Sequence, residues 1–188
     1  MTRSSSIIIF CVLGLVLSLI LTAFMIPGDL ELRLTLVKEK KPVLVLPLKP
    51  EERFTIHYYH SVENAPIWET HSMDTKGRIY IEEERYEKFG AGMGKMPGVG
   101  RMVKQGIYEV ITDMHMPTGD FILRVGSPGV NHTLIWRNRK FNLSDTLAHK
   151  AVMFSGKPRS LLYQAWRSLW GFQPRIQTDK QLYSKEEK

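Results

Sequence analysis

The 188-residue chain has a single cysteine, Cys11. One cysteine cannot close an intramolecular disulfide, and a zinc cluster built on cysteine pairs is excluded with it. Charge is missing from Ile7 to Ile26, and no comparable apolar run follows Pro27. There is no internal repeat and no low-complexity tract. Acidic residues are outnumbered, 19 Asp+Glu against 26 Lys+Arg. What is present is a 43% hydrophobic content, too high for wholesale disorder and unevenly distributed.

Residues 7–26 read IIIFCVLGLVLSLILTAFMI. As a helix rising 1.5 Å per residue this run is about 30 Å long, the thickness of a bilayer hydrocarbon core. Ile7, Leu15, Leu21 and Ile26 mark the expected anchor, and Pro27-Gly28 stops it. Ser18 and Thr22 are tolerated because hydroxyls can bond back to the helix carbonyls. A cleaved signal peptide is the competing interpretation. The run exceeds the roughly 7–15 apolar residues of a signal h-region, and no A-x-A-like site follows it. Cys11 sits too early for lipoprotein acylation. Arg3 and the terminal amine precede the run, so the positive-inside rule places the N-terminus in the cytoplasm and the remainder outside.

The body alternates. Leu30, Leu32, Leu34 and Leu36 recur at every second position around Glu31, Arg33 and Thr35, the pattern of a half-buried strand. Further strands are predicted over 43–48, 53–60, 67–73, 78–86, 107–115, 121–125, 133–137 and 140–143 from β-branched and aromatic residues between turn signals. Their spacing predicts an all-β, sandwich or barrel-like domain. Residues 89–100, FGAGMGKMPGVG, hold five glycines and are expected to be loop. A Walker A motif fails there, because Phe89 replaces its first glycine and Met96 follows Lys95. A G-x-G-x-x-G register fails too, with Lys95 in the third glycine's place.

After Pro158, Leu161, Leu162, Ala165, Trp166, Leu169 and Trp170 recur at helical spacing, flanked by Arg159 and Arg167. This predicts an amphipathic helix ended by Gly171. Trp166 and Trp170 suit a membrane interface; packing on the sheet or on a partner is the alternative. Lys180–Lys188 is a charged tail, expected to be disordered. The order therefore predicts an anchor over 1–28, a β-rich external domain over 29–155, and a helix with its tail over 156–188.

Polar chemistry concentrates at Tyr58-Tyr59-His60-Ser61-Val62-Glu63, followed by Glu69. A serine hydrolase is one reading, but neighbouring strand residues point to opposite faces, so His60 is badly placed to activate Ser61. No G-x-S-x-G elbow is present to recruit His132. A divalent metal is another: His57 and His60 fall on opposite strand faces, whereas Asp113 and His115 share one and would need Glu63, Glu69 or His132 beside them. No cofactor is otherwise expected. Without Arg3 the external part holds 25 basic and 19 acidic residues, a lean towards anionic lipid, cell-wall polymer or anionic ligands. No helix-turn-helix, zinc finger or aromatic RNA-binding motif occurs, so nucleic acid is not an expected partner.

Taken in order, Phe54…Tyr58-Tyr59-His60-Ser61-Val62-Glu63…Pro66…Glu69, Phe89-Gly90-Ala91-Gly92-Met93, Leu123-Arg124-Val125 and Asn131-His132-Thr133-Leu134 resemble an uncharacterised bacterial family. Its members are small exported or anchored proteins, assigned only a domain of unknown function and often encoded beside TRAP-type transporters of the TAXI branch, which import organic anions. The resemblance covers roughly 30–147; it departs at Tyr59, where the family carries Thr, and in the long C-terminus. It implies a membrane-bound accessory protein of a TRAP importer, touching the permease or its substrate-binding protein. His60, Ser61, Glu63, Glu69 and His132, with Gly90 and Gly92, would form a ligand-binding or interaction site. A ligand- or metal-binding envelope protein using His60, Glu63, Glu69 and His132 is the alternative function.

Overall fold

A computed structural model describes residues 3–88 and 99–171. Two helices flank a chain of short strands. Helix α1 (Arg3–Met25) leads directly into β1 (Pro27–Leu36). There follow β2 (Pro42–Leu48), β3 (Phe54–Tyr59), β4 (Pro66–Met73), β5 (Ile79–Tyr86), β6 (Arg101–Gln105), β7 (Tyr108–Thr112), the two-residue β8 (Met116–Pro117) and β9 (Phe121–Arg124). The hairpin β10 (Thr133–Trp136) and β11 (Arg139–Asn142), the short α2 (Ser144–Leu147), β12 (Ala151–Ser160) and α3 (Leu161–Leu169) complete the order.

The strands form two antiparallel sheets. One has the order β2-β1-β12-β9; the other runs β11-β10-β3-β4-β5-β7-β6, with β8 attached to β5. Neither closes on itself among the described residues, so of the two expected forms the architecture is sandwich-like, not a barrel. The larger apolar cluster among the described residues draws on both sheets. Leu30, Leu32, Leu34 and Leu36 enter it from β1, Phe54 and Ile56 from β3, and Leu134, Phe141 and Phe154 from the later strands. Each fully buried leucine of β1 contributes roughly 1.5–3 kcal/mol of transfer free energy. The alternating face is thus the core face. The opposite face of β1 is less exposed than its sequence suggests, because Glu31 is also buried. β1 is flanked on both edges, and Arg33 Nη2 donates to Glu31 Oε2 at 3.1 Å, compensating part of the cost of burying that carboxylate.

Several strands escape the sequence pattern. Within β12, Pro158 reads as a break, yet the strand continues through it to Ser160. β9 pairs only with Ala151–Phe154. Beyond Phe154 that edge needs no N–H donor, and proline is tolerated there. The predicted strand 107–115 ends at Thr112, and both Asp113 and His115 adopt positive φ. They therefore do not share a strand face as expected.

The described residues divide into two compact units. Leu30–Lys157 form the β unit; residues up to Asp29 and from Pro158 onward form the other. The second contains α1 and α3. Thr22 Oγ1 donates to the Ser18 carbonyl at 2.8 Å, the back-bond anticipated for an apolar helix. Ser160 caps α3 through its hydroxyl, which accepts from Tyr163 N–H, a favourable N-cap. Leu161 N–H donates to Ile26 O at 3.0 Å, and Gln164 Nε2 to Asp29 Oδ2 at 2.8 Å. Gly171 at φ 59° follows α3 as predicted. No residue of α3 is buried.

Candidate functional site

The predicted polar cluster separates into a surface turn and an interior group. β3 ends at Tyr59, and residues 60–65 reverse the chain into β4: His60 N–H donates to the Ala65 carbonyl and Asn64 N–H to that of His60. His60 Nδ1 accepts from Glu63 N–H at 3.2 Å, so the imidazole stabilises its own turn. Ser61 is exposed on the same turn. No hydrogen bond joins Ser61 to an imidazole among the described residues. Gly90 and Gly92, and the Lys180–Lys188 tail, lie outside the described residues.

Glu69 and His132 come together one layer inside, through Tyr58. In strand register Tyr58 lies opposite Ile67, two residues from Glu69, and β10 pairs with β3 so that His132 follows on the same face. Tyr58 Oη donates to Glu69 Oε1 at 2.8 Å, and its ring stacks on His132 with centroids 5.0 Å apart. His132 Nδ1 accepts from Gly126 N–H at 2.9 Å. That bond requires a lone pair on Nδ1, and burial holds the pKa of this imidazole below its ordinary value. Glu69 faces Glu84 directly across β4 and β5. Burial, with the Glu84 charge adding to it, raises the Glu69 pKa against the opposing Tyr58 hydrogen bond. Tyr86 Oη donates to Glu84 Oε2. Two facing, partly buried carboxylates are thus each capped by a tyrosine hydroxyl, which satisfies one oxygen of each.

A second polar knot sits at a β-bulge. The β4–β5 register shifts between Thr70 and His71, which re-aims Glu82. Its Oε1 accepts from Ser72 Oγ at 2.6 Å and lies 2.9 Å from His115 Nδ1. Asp113 instead pairs with Arg101. No group of three or more His, Cys, Asp or Glu side chains is gathered as a metal site among the described residues.

The larger sheet also carries a concavity of about 380 Å3 on the face turned away from the core. Sequence inspection passes over it. His57 and Tyr59 alternate on β3, but the residues that complete the hollow come from β4, β10 and β11, and only the pairing register brings them alongside. His57 is opposite Trp68 on one side and Thr133 on the other. The His57 ring lies 4.9 Å from that of Trp68 and 5.4 Å from that of Tyr59. Burial, and then the nearby Lys140 charge, lower the His57 pKa.

These features define a class: a two-sheet antiparallel β-protein, sandwich-like, with an N-terminal helix long and apolar enough to cross a membrane. A likeness to a described family is confined to the central region. Residues 54–143, just under half the chain, match the family described as "Domain of unknown function (DUF1850)". The match opens on the first residue of β3 and closes just after β11. It contains the turn, the Tyr58 cluster and the outer concavity. No curated protein and no solved structure matches the chain.

Proposed function

We propose that this protein is a single-pass, membrane-anchored accessory subunit whose β unit works outside the cytoplasmic membrane, in association with a TRAP-type importer of the TAXI branch. The observation that carries the anchoring is α1 itself. Ile8–Met25 carries no charged residue, its mean hydropathy is 2.8, and none of it is buried by the rest of the protein. So much exposed apolar surface belongs in lipid. Helix α3 adds exposed Leu169, Trp166 and Trp170, with Arg167 in its last turn. That is the composition of an interfacial helix lying at headgroup level. Arg3 ahead of the apolar run favours a cytoplasmic N-terminus.

The importer association rests on the motif order shared with a transporter-linked family and is consistent with the match over 54–143. In this reading Glu69 and His132 fix the interior through Tyr58, while the turn carrying His60, Ser61 and Glu63 is available to a partner. The test is affinity purification of the full chain from mild detergent, after expression with the permease and its substrate-binding protein. Recovery of either partner, reduced when Ser61 and Val62 on the exposed turn are both changed to Arg, is the expected result. Absence of both partners, under conditions that retain another membrane complex, overturns the association.

A further inference from the structure

We propose that the concavity on the outer face of the larger sheet is a binding site for a small organic carboxylate with a flat, ring-like body. The proposal goes beyond the importer association and does not depend on it.

Shape comes first. The hollow spans four neighbouring strands, β11-β10-β3-β4, and its volume of about 380 Å3 falls within the range of small-molecule sites. Its size suits one compact molecule. His57, Trp68 and Tyr59 supply adjoining rings, and the ring series continues from Trp68 to Tyr108 at 5.5 Å. Ile135 is a further apolar contact in the lining. Such rings gain most from a flat partner, which they can contact face-on or edge-on.

Charge and hydrogen bonding then select the ligand's other end. The lining includes one lysine, Lys140, and no aspartate or glutamate. Lys140 has no ion-pair partner among the described residues. Several of the remaining polar groups can donate to a ligand. Asn142 uses its carbonyl oxygen to accept from Ser144 N–H at 3.0 Å, which leaves its NH2 group for a ligand. The Tyr59 hydroxyl, the Trp68 indole N–H and the Asn131 side-chain amide also carry no hydrogen bond to another described residue. A site with one cation, several spare donors and no carboxylate complements an acceptor-rich anion. A cationic or amine ligand would meet Lys140 without a counter-charge.

The probe is benzoate, with benzamide as its neutral counterpart of nearly equal shape. Binding to the detergent-solubilised full chain is followed by calorimetry and by tryptophan fluorescence. Benzoate is expected to bind saturably with Kd near or below about 1 mM, and benzamide at least about fivefold more weakly, the scale of one charge-assisted contact. Lys140→Gln should abolish that preference while the thermal unfolding midpoint stays unchanged. Trp68→Leu should weaken both ligands together, with Lys104→Gln, on an exposed strand elsewhere in the sheet, as the unaffected control. Three results overturn the proposal: no saturable binding of benzoate, phenylacetate or indole-3-acetate up to about 10 mM; equal affinity for benzamide; or a benzoate preference that survives Lys140→Gln. Capture of the permease is not part of this measurement, so failure here leaves the importer association standing.

Discussion

His71 shows how a single side chain can record its surroundings. Sequence alone presents it as one more histidine on a strand. In the fold it is a layer of an aromatic stack: Phe54 and Phe121 lie on either side of it at 5.3 Å, and Phe154 follows Phe121 at 4.9 Å. Its Nδ1 lies 3.2 Å from the Glu69 carbonyl. Burial pushes the His71 pKa down to about 4, against smaller upward pulls from the Glu69 carbonyl and the Glu82 carboxylate. Because the folded value lies below the unfolded one, near 6.5, the neutral ring contributes stability above pH 6.5. That contribution fades as pH falls towards 4, since the unfolded chain takes up the proton first. Between pH 7 and pH 5 the loss attributable to this group is about 2 kcal/mol. His71→Phe preserves the stack and removes the proton. Urea denaturation at the two pH values should therefore show a smaller acid loss for the variant by that order. An unchanged difference between pH 7 and pH 5 would falsify the assignment. Glu69 illustrates the opposite outcome at the sequence level: the residue is legible as part of a polar motif, but its tie to Tyr58 and its position against Glu84 depend on strand register.

Strands with strict alternation were legible, and those interrupted by turn chemistry were not. The β1 pattern locates the core face because four leucines at period two leave only one face to bury. β12 was hidden by Gly156 and Pro158, residues that ordinarily weaken a strand. Gly156 is nevertheless required by its neighbours. A Cβ there would lie 2.0 Å from the Gly77 carbonyl oxygen and 2.6 Å from Met73 Sδ. Gly77, at φ +80°, forms the tight turn between β4 and β5 and has its own close approach to Gly156. The two backbones touch only because neither residue has a side chain. Gly156→Ala must push β12 off this turn or displace it, and overpacking of this kind typically costs about 1–3 kcal/mol. The expected outcome is a fall of several degrees in the thermal midpoint. Gly106→Ala, at a turn where an added Cβ meets nothing within 4 Å, should lose much less despite its positive φ. Equal losses would show that the close approach at Gly156 costs no more than placing a side chain at the positive φ of Gly106. The outer concavity was illegible for a related reason. Its residues come from separate strands, and composition cannot supply the register that aligns His57 with Trp68 and Thr133.

At the scale of the whole molecule, the scarcity of cysteine becomes a means of locating the chain in the membrane. Cys11 lies within α1 and is not covered by protein. In water it would be open to any thiol reagent; in a bilayer core, a charged maleimide cannot reach it. The exposed turn after β3 provides the contrasting position, since Val62 is 75% exposed. Two single-cysteine proteins therefore report on both units: the native chain, and Val62→Cys combined with Cys11→Ser. If α1 spans the membrane with the N-terminus inside, a membrane-impermeant maleimide should label position 62 on intact cells. Cys11 should stay unlabelled until detergent and denaturant expose it. Labelling of position 62 only after lysis would put the β unit in the cytoplasm and reverse the proposed orientation. Ready labelling of Cys11 in intact membranes would remove α1 from the bilayer, leaving its apolar surface to be explained by a protein partner. The two positions make anchoring and orientation separable, because the first depends on lipid depth and the second on the side from which reagent arrives.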